Sequence, residues 1–318
     1  MFSLCEPPLF TRLRDARRIL VAGAGGGFDI YAGLPLAVAL SAQGKEIHLA
    51  NLSFTDLGAL DLDVWLEPAV AAIHPDTAGN DHYFPERALA RWLKSRERPS
   101  TVYAFPRTGV RPLRAAYRTL IDRLEIDAII LVDGGTDILM RGDEAGLGTP
   151  EEDMTSLAAV AGLDGVERFV VCLGFGIDSY HGVCHAHVLE NLASLEREGA
   201  YLGAFSIPSQ SAEAAAYLDA VAHAQAATPL RPSIVNGQIA AAIRGEFGNF
   251  RFTARTADSE LFVNPLMGLY FAVELTGLAR GVGYLDRLED TDDMAQVSLL
   301  IEEHRYHVDP RRWRAIPH

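Results

Sequence analysis

The sequence has few cysteines and a deficit of basic residues, and each shortage excludes a class of protein. Three of the 318 residues are cysteine, which argues against a disulfide framework and favours a reducing, cytoplasmic compartment. Lys and Arg total 28 against 42 Asp and Glu, for a net charge of −14. This balance disfavours nucleic acids and anionic membrane surfaces as partners, because both are bound through clustered cations.

Long apolar runs and several catalytic motifs are also missing. No run approaches the ~20 apolar residues of a membrane span, and residues 1–18 show no secretory pattern. We therefore expect a cytoplasmic protein without membrane association. The phosphate-loop motif of many nucleotide hydrolases and the Gly-x-Ser-x-Gly elbow of serine hydrolases are absent, which disfavours both of those mechanisms.

The residues that are present alternate between short apolar runs and helical patterns. Apolar residues make up 49% of the chain, enough for a large core. Regular alternation of strands and helices predicts an α/β fold, a doubly wound, mostly parallel, Rossmann-like sheet with helices on both faces. We expect a single domain over residues 1–318, with a lid excursion at residues 54–84 and a C-terminal extension from about residue 229. Within that extension the patterns predict an edge strand at residues 248–254 and a helix at residues 266–279.

A glycine-rich stretch near the start organises the prediction. An apolar run at residues 19–22 predicts a buried strand, four glycines follow between positions 23 and 27, and a helical pattern begins at Asp29. Such a strand, loop and helix often binds an anion in parallel sheets. The dinucleotide fingerprint is incomplete, because Phe28 replaces its last glycine and the next strand ends in Asn51 rather than an acid. NAD is therefore disfavoured, and an ordinary turn with a capping aspartate is the alternative.

Three predicted strands end in glycine followed by aspartate. The segments are Gly-Gly-Gly-Phe-Asp at residues 25–29, Asp-Gly-Gly-Thr-Asp at residues 133–137 and Gly-Phe-Gly-Ile-Asp at residues 174–178. Parallel strands present their carboxyl ends at one edge of the sheet. We therefore expect Asp29, Asp133 and Asp178 to line a single cleft, with His181 at its rim and Arg107 or Arg111 as a counter-charge.

Asp133 and Asp137 are the predicted metal ligands. Two carboxylates so close together need a cation or a donor between them, and oxygen ligands favour magnesium or calcium. In the alternative, Asp133 accepts hydrogen bonds from turn amides and Asp137 caps a helix.

His181 is the predicted general acid or base, since histidine titrates near neutral pH. On one helix His181 and His185 would share a face, so a zinc site with Cys184 or His187 is a further alternative.

The predicted site residues fall into two groups. The catalytic group is Asp133, Asp137, Asp178 and His181. The ligand-binding group is Gly25, Gly26, Gly27, Asp29, Gly134, Gly135, Thr136 and Gly176.

These segments resemble an uncharacterised family, domain-of-unknown-function family 1152. The resemblance rests on the glycine–aspartate turns at residues 25–29 and 133–137, on Gly-Leu-Pro-Leu-Ala at residues 33–37, and on Gly-Thr-Pro-Glu-Glu-Asp at residues 148–153. It implies an α/β protein of bacterial and archaeal type and suggests that the turns form one site. It implies no activity.

The predicted function is an enzyme acting on a small polar metabolite: a nucleotide, a nucleoside or a phosphorylated sugar. Metal-assisted hydrolysis is the first hypothesis for its chemistry. A non-catalytic ligand sensor is the second. A structural protein that forms a homo-oligomer through apolar residues 234–279 is the third, although core burial explains that composition equally well.

Overall fold

The structure, a computed structural model of the chain, describes residues 3–251 and 261–316. Its strands are β1 Arg18–Gly23, β2 Glu46–Leu52, β3 Trp65–Glu67, β4 Val70–Ile73, β5 Val102–Phe105, β6 Ala128–Asp133, β7 Glu167–Leu173, β8 Tyr201–Ser206, β9 Gly248–Asn249, β10 Phe262–Val263 and β11 Leu269–Glu274. Its α-helices are α1 Pro8–Arg12, α2 Asp29–Ala32, α3 Leu34–Ala42, α4 Pro85–Ser95, α5 Val110–Leu124, α6 Pro150–Ala161, α7 His185–Arg197, α8 Ala212–Ala227, α9 Ile234–Ile243, α10 Leu275–Gly281 and α11 Met294–His307.

Nine of these strands form one central sheet, in the order β3-β4-β5-β2-β1-β6-β7-β11-β8. Strands β5, β2, β1, β6 and β7 are parallel to their neighbours in this series. β1 lies in the middle, and the chain builds outward from it first to β2 and β5, then to β6 and β7 on the other side. The predicted doubly wound, mostly parallel α/β fold is therefore confirmed.

Helices cover both faces of the sheet because its central strands are apolar on both faces. In β1, Leu20 and Ala22 face the core beneath α5, α6, α7, α10 and α11. Ile19 and Val21 face the opposite core, beneath α1, α2, α3, α4, α8 and α9. No helix in the described ranges is both long enough and apolar enough to span a membrane.

The predicted helix at residues 266–279 is wrong in its first half. Residues Leu269–Glu274 form β11, which pairs antiparallel with β7 on one side and β8 on the other. Helix α10 begins only after it, at Leu275. A continuous apolar run fits a buried strand as well as a buried helix, and the aromatic Tyr270 and Phe271 favour the strand.

Residues 54–84 contain more regular structure than a lid excursion implies. β3 and β4 lie in this segment and extend the sheet beyond β5 as an antiparallel edge. The edge strand predicted at residues 248–254 is shorter in the structure, where β9 pairs with β10 in a separate two-stranded sheet. Residues 252–254 of that prediction lie outside the described residues.

Ion pairs of Arg311 anchor the C-terminal tail to the rest of the protein. Arg311 donates to Asp143 and to the fully buried Glu144, both at 2.7 Å, and to Glu190 at 2.8 Å. Glu144 also accepts hydrogen bonds from the Arg141 amide at 2.9 Å and from Asn191 at 2.6 Å. The tail therefore fixes the long loop that follows β6, which carries part of the candidate site.

We expect Arg311→Ala to lower the free energy of unfolding by about 2–3 kcal/mol, because it leaves a buried carboxylate without its cation. Urea denaturation monitored by circular dichroism measures the change. Arg312→Ala, at the exposed neighbouring side chain, is the matched control and should change stability by less than about 0.5 kcal/mol. Equal stability of the two variants would show that Arg311 does not hold the tail.

Candidate functional site

The candidate site lies at the carboxyl edge of the parallel strands, where the strand order reverses between β1 and β6. Asp29 begins α2 just after the glycine loop of β1, and Asp133 is the last residue of β6. Ligands of open α/β sheets bind at such a switch point. The turn after β7 brings Asp178 to the same edge.

Five aspartates converge at this edge. Oxygen atoms of Asp29, Asp133 and Asp153 lie within 4.8 Å of one another. Asp137 and Asp178 are close enough for their charges to act on this group. The metal pair predicted from the sequence is Asp133 and Asp137; in the described residues Asp133 also belongs to a group of three possible ligands, with Asp29 and Asp153.

Asp137 and Asp178 are occupied by hydrogen bonds to the surrounding loops. Asp137 Oδ2 accepts from the backbone N and the hydroxyl of Thr149, at 2.8 and 3.1 Å. Asp178 Oδ2 accepts from the backbone N of Thr136 at 2.6 Å. These two aspartates therefore position the loops after β6.

Asp153 differs from the other acids in having no partner. Its side chain is completely buried, and neither of its carboxylate oxygens accepts a hydrogen bond from the described residues. Buried polar groups without a partner are costly, and they often mark the place of an ion or a ligand. Asp153 therefore has both oxygens available toward Asp29 and Asp133.

Glycines allow the carboxylates to approach so closely. A Cβ atom on Gly25 would lie 2.7 Å from Asp29 Oδ2 and 2.9 Å from Asp153 Oδ1. On Gly134 it would lie 3.0 Å from Asp29 Oδ1, and on Gly135 2.7 Å from Asp178. These glycines, predicted to bind a ligand, make room for the acids in the structure, and Gly25 also lines the cleft.

Another predicted glycine, Gly176, is next to different residues. Gly176 has a φ of +97° and sits beside His185 and Asn264.

The acids raise one another's pKa. Burial, followed by the charge of Asp137, raises the pKa of Asp29 to about 8. Burial and neighbouring carboxylates raise the pKa of Asp133, Asp153 and Asp178 well above the ordinary range. Without a cation, these closely spaced acids therefore favour their protonated forms, and a bound cation would reverse this preference.

A cleft of about 760 Å³ opens above this cluster. Gly25, Gly26, Gly27 and Asp29 line it from the glycine loop, and His181 lines it from the turn after β7. The N-terminal end of α9 forms another wall. The cleft is large enough for a small metabolite.

The cleft also has an aromatic wall that the sequence analysis missed. The Phe54 ring, 46% exposed, lies against the glycine loop, and a Cβ on Gly26 would come within 2.5 Å of it. The Arg107 guanidinium lies 5.4 Å from the centre of this ring and donates to Glu152 at 2.5 Å. Arg111, the alternative counter-charge, forms an ion pair with Asp292 instead.

The zinc alternative is wrong within the described residues. His181 ends a short 3-10 turn, and α7 begins only at His185, so the two side chains do not share a helical face. Cys184 Sγ contacts the carbonyl of Arg314, and His187 contacts that of Arg312, each at 3.1 Å. The one group of potential metal ligands in the described ranges is the aspartate group.

Asn51, which stands where a dinucleotide site has an acid, braces the glycine loop. Its Nδ2 donates to the Gly27 carbonyl at 2.8 Å and to Glu86 Oε1 at 2.7 Å. Glu86 is fully buried on α4, and burial raises its pKa to about 7. Asn51 therefore ties the glycine loop to α4.

Together these features define an α/β protein with a buried acidic site at the carboxyl edge of a doubly wound sheet. The chain belongs to the family of proteins of unknown function DUF1152, whose model matches residues 65–307. The match confirms the resemblance seen in the sequence and includes four of the five aspartates, while the glycine loop and Asp29 precede it. Searches of curated proteins and of solved structures found no significant match.

Sequence reasoning missed Asp153, although the residue was part of the segment that carried the family resemblance. It stands third in an acidic run at the start of α6, where acids are common because they interact favourably with the helix dipole. What distinguishes Asp153 is that α6 packs against the glycine loop, with Ser156 donating to the Ala24 carbonyl at 2.8 Å. That contact joins residues far apart in sequence.

We expect Asp153→Asn to raise the free energy of unfolding by about 1 kcal/mol in the presence of a chelator, since it removes a buried acid that has no partner. Asp137→Asn is the matched control. It weakens the two hydrogen bonds from Thr149 and should lose about 1 kcal/mol. Urea denaturation in EDTA measures both. A loss of stability in Asp153→Asn would identify Asp153 as a structural brace.

The raised pKa of Glu86 predicts that the free energy of unfolding falls as the pH rises. A carboxyl whose pKa is raised on folding from 4.5 to about 7 destabilises the folded state progressively between those pH values, and the cost is constant above them. Glu86→Gln removes this cost. We expect its stability relative to the wild type to rise by about 2–3 kcal/mol between pH 4.5 and pH 8.

Urea denaturation at the two pH values measures this change in stability. Glu302→Gln on α11 controls for the effect of replacing a glutamate by glutamine. A difference between Glu86→Gln and the wild type that stays constant with pH would contradict it.

Proposed function

We propose that the protein is a metal-dependent hydrolase of a small polar metabolite: a nucleotide, a nucleoside or a phosphorylated sugar. One observation carries the proposal. Three carboxylates converge within 4.8 Å beneath an open cleft, and one of them, Asp153, is buried with both oxygens unpartnered. A divalent cation would satisfy those oxygens and offset the repulsion among the acids.

The ligand chemistry supports magnesium or calcium. All three side chains offer carboxylate oxygens, which hard cations prefer, and no soft ligand stands among them. Asp29 is the member of the group that lines the cleft. An ion held there would face a substrate on one side and the buried acids on the other.

Hydrolysis is the chemistry that such an ion best supports. A divalent cation polarises a scissile bond and lowers the pKa of water. His181 lines the same cleft, so we assign it the role of general acid or base. Asp133 is a ligand in this proposal, and Asp137 and Asp178 hold the loops that carry it.

We expect magnesium or calcium to raise the melting temperature of the wild type and not that of Asp153→Asn, because the variant lacks a charged ligand. Asp137→Asn should keep most of the shift. Differential scanning fluorimetry against MgCl₂ and CaCl₂, after EDTA treatment, measures both. An equal shift in Asp153→Asn and the wild type would contradict the metal site.

Turnover separates the hydrolase from a non-catalytic sensor. Product formation from nucleotides, nucleosides and sugar phosphates should require the metal and should fall at least tenfold in His181→Gln. His181→Gln should retain the metal-dependent thermal shift. Saturable binding without product from any member of the panel would favour the sensor.

A further inference from the structure

We infer that the substrate is an unphosphorylated nucleoside, with its base on Phe54 and Arg107 and its sugar hydroxyls toward Asp29. The inference deepens the proposed function and rests on it in one respect, because it takes the same cleft as the substrate site. Of the nucleotides, nucleosides and phosphorylated sugars, it selects the nucleosides. It depends on the aromatic wall, on the charge of the cleft, and on the position of that wall beside the acids.

Phe54 and Arg107 together form a platform. The Arg107 Cζ atom lies over the Phe54 ring, 5.4 Å from its centre, and Glu152, which is nearly buried, holds the guanidinium there through a 2.5 Å ion pair. A large aromatic side chain that is 46% exposed inside a cleft is available for stacking. Aromatic rings and guanidinium planes both stack on nucleobases, whereas a sugar phosphate has no planar group to use them.

The charge of the cleft disfavours a phosphate. Among its described lining residues, Arg107 is the single lysine or arginine, and Glu152 already neutralises it. The glycine loop, where phosphates usually bind, is covered by the Phe54 ring over Gly26 and Gly27. Asp29 adds negative charge beside that loop. An uncharged ligand with hydroxyl groups meets none of these obstacles.

The platform and the acids lie against consecutive glycines of one loop. Phe54 contacts Gly26 and Gly27, while Asp29 and Asp153 contact the adjacent Gly25. Consecutive Cα atoms are about 3.8 Å apart, so a base on Phe54 places the attached sugar ring beside Asp29. Sugar hydroxyls can donate to carboxylates or bind a cation held by them.

Isothermal titration calorimetry in MgCl₂ or CaCl₂ tests the inference. The probes are adenosine, inosine, uridine and cytidine, their 5′-monophosphates, D-ribose and ribose 5-phosphate. At least one nucleoside should bind about tenfold more tightly than its own 5′-monophosphate and than D-ribose, as stacking of one base contributes about 1–3 kcal/mol.

Two variants examine the platform itself. Phe54→Leu keeps an apolar side chain without the ring, and Arg107→Lys keeps the charge opposite Glu152 without the plane. Each should weaken nucleoside binding by about tenfold and change D-ribose binding by less than about twofold. Phe54 is partly exposed, so folding should persist, and circular dichroism checks this for both variants.

The inference is overturned if a 5′-monophosphate or ribose 5-phosphate binds more tightly than every nucleoside, or if both variants bind the nucleoside as the wild type does. Its failure is distinguishable from failure of the proposed function. Metal-dependent hydrolysis of a sugar phosphate would support the proposed hydrolase and contradict the nucleoside as its substrate. Nucleoside binding that depends on Phe54 and Arg107 but yields no product would support the nucleoside as ligand and contradict the hydrolase.

Discussion

Repulsion among buried carboxylates is the constraint on which the rest of this structure depends. Asp29, Asp133, Asp137, Asp153 and Asp178 follow three different strands or begin a helix, yet they meet at one edge of the sheet. Each would be ionised in water at neutral pH. Holding them together therefore consumes stability that the two large apolar cores must supply. Such an arrangement is typical of functional sites, where local stability is given up for chemistry.

The surrounding loops are built to bear this repulsion. Backbone amides donate to Asp29 from Gly25 and to Asp178 from Thr136, and Thr149 donates twice to Asp137. These bonds favour the ionised forms and also fix the loops in space. Asp153 receives no such compensation within the described residues. Asp133 accepts from the Ile138 amide at 3.3 Å, so Asp153 is the one member of the five whose carboxylate receives no hydrogen bond from the described residues.

The sequence was informative about strands and less informative about contacts between distant segments. Uninterrupted apolar runs predicted β6 and β7 because a central parallel strand is buried on both faces. The glycine–aspartate turns marked the carboxyl edge of the sheet, because parallel strands all end at that edge. Asp153 and Phe54 escaped notice because their roles arise from packing across the molecule, where α6 and the segment after β2 meet the glycine loop. β11 was mistaken for helix because periodicity alone does not separate the two in a short apolar run.

The position of β11 has a consequence for biosynthesis. β8 is made long before β11, but it joins the sheet only through β11, which lies between it and β7. During translation β7 therefore remains an unpaired edge until residues 269–274 have left the ribosome. An open apolar edge is an opportunity for aggregation. A ribosome that stalls or terminates before this point would release a chain with a full set of parallel strands and an unprotected edge, a natural target for chaperones.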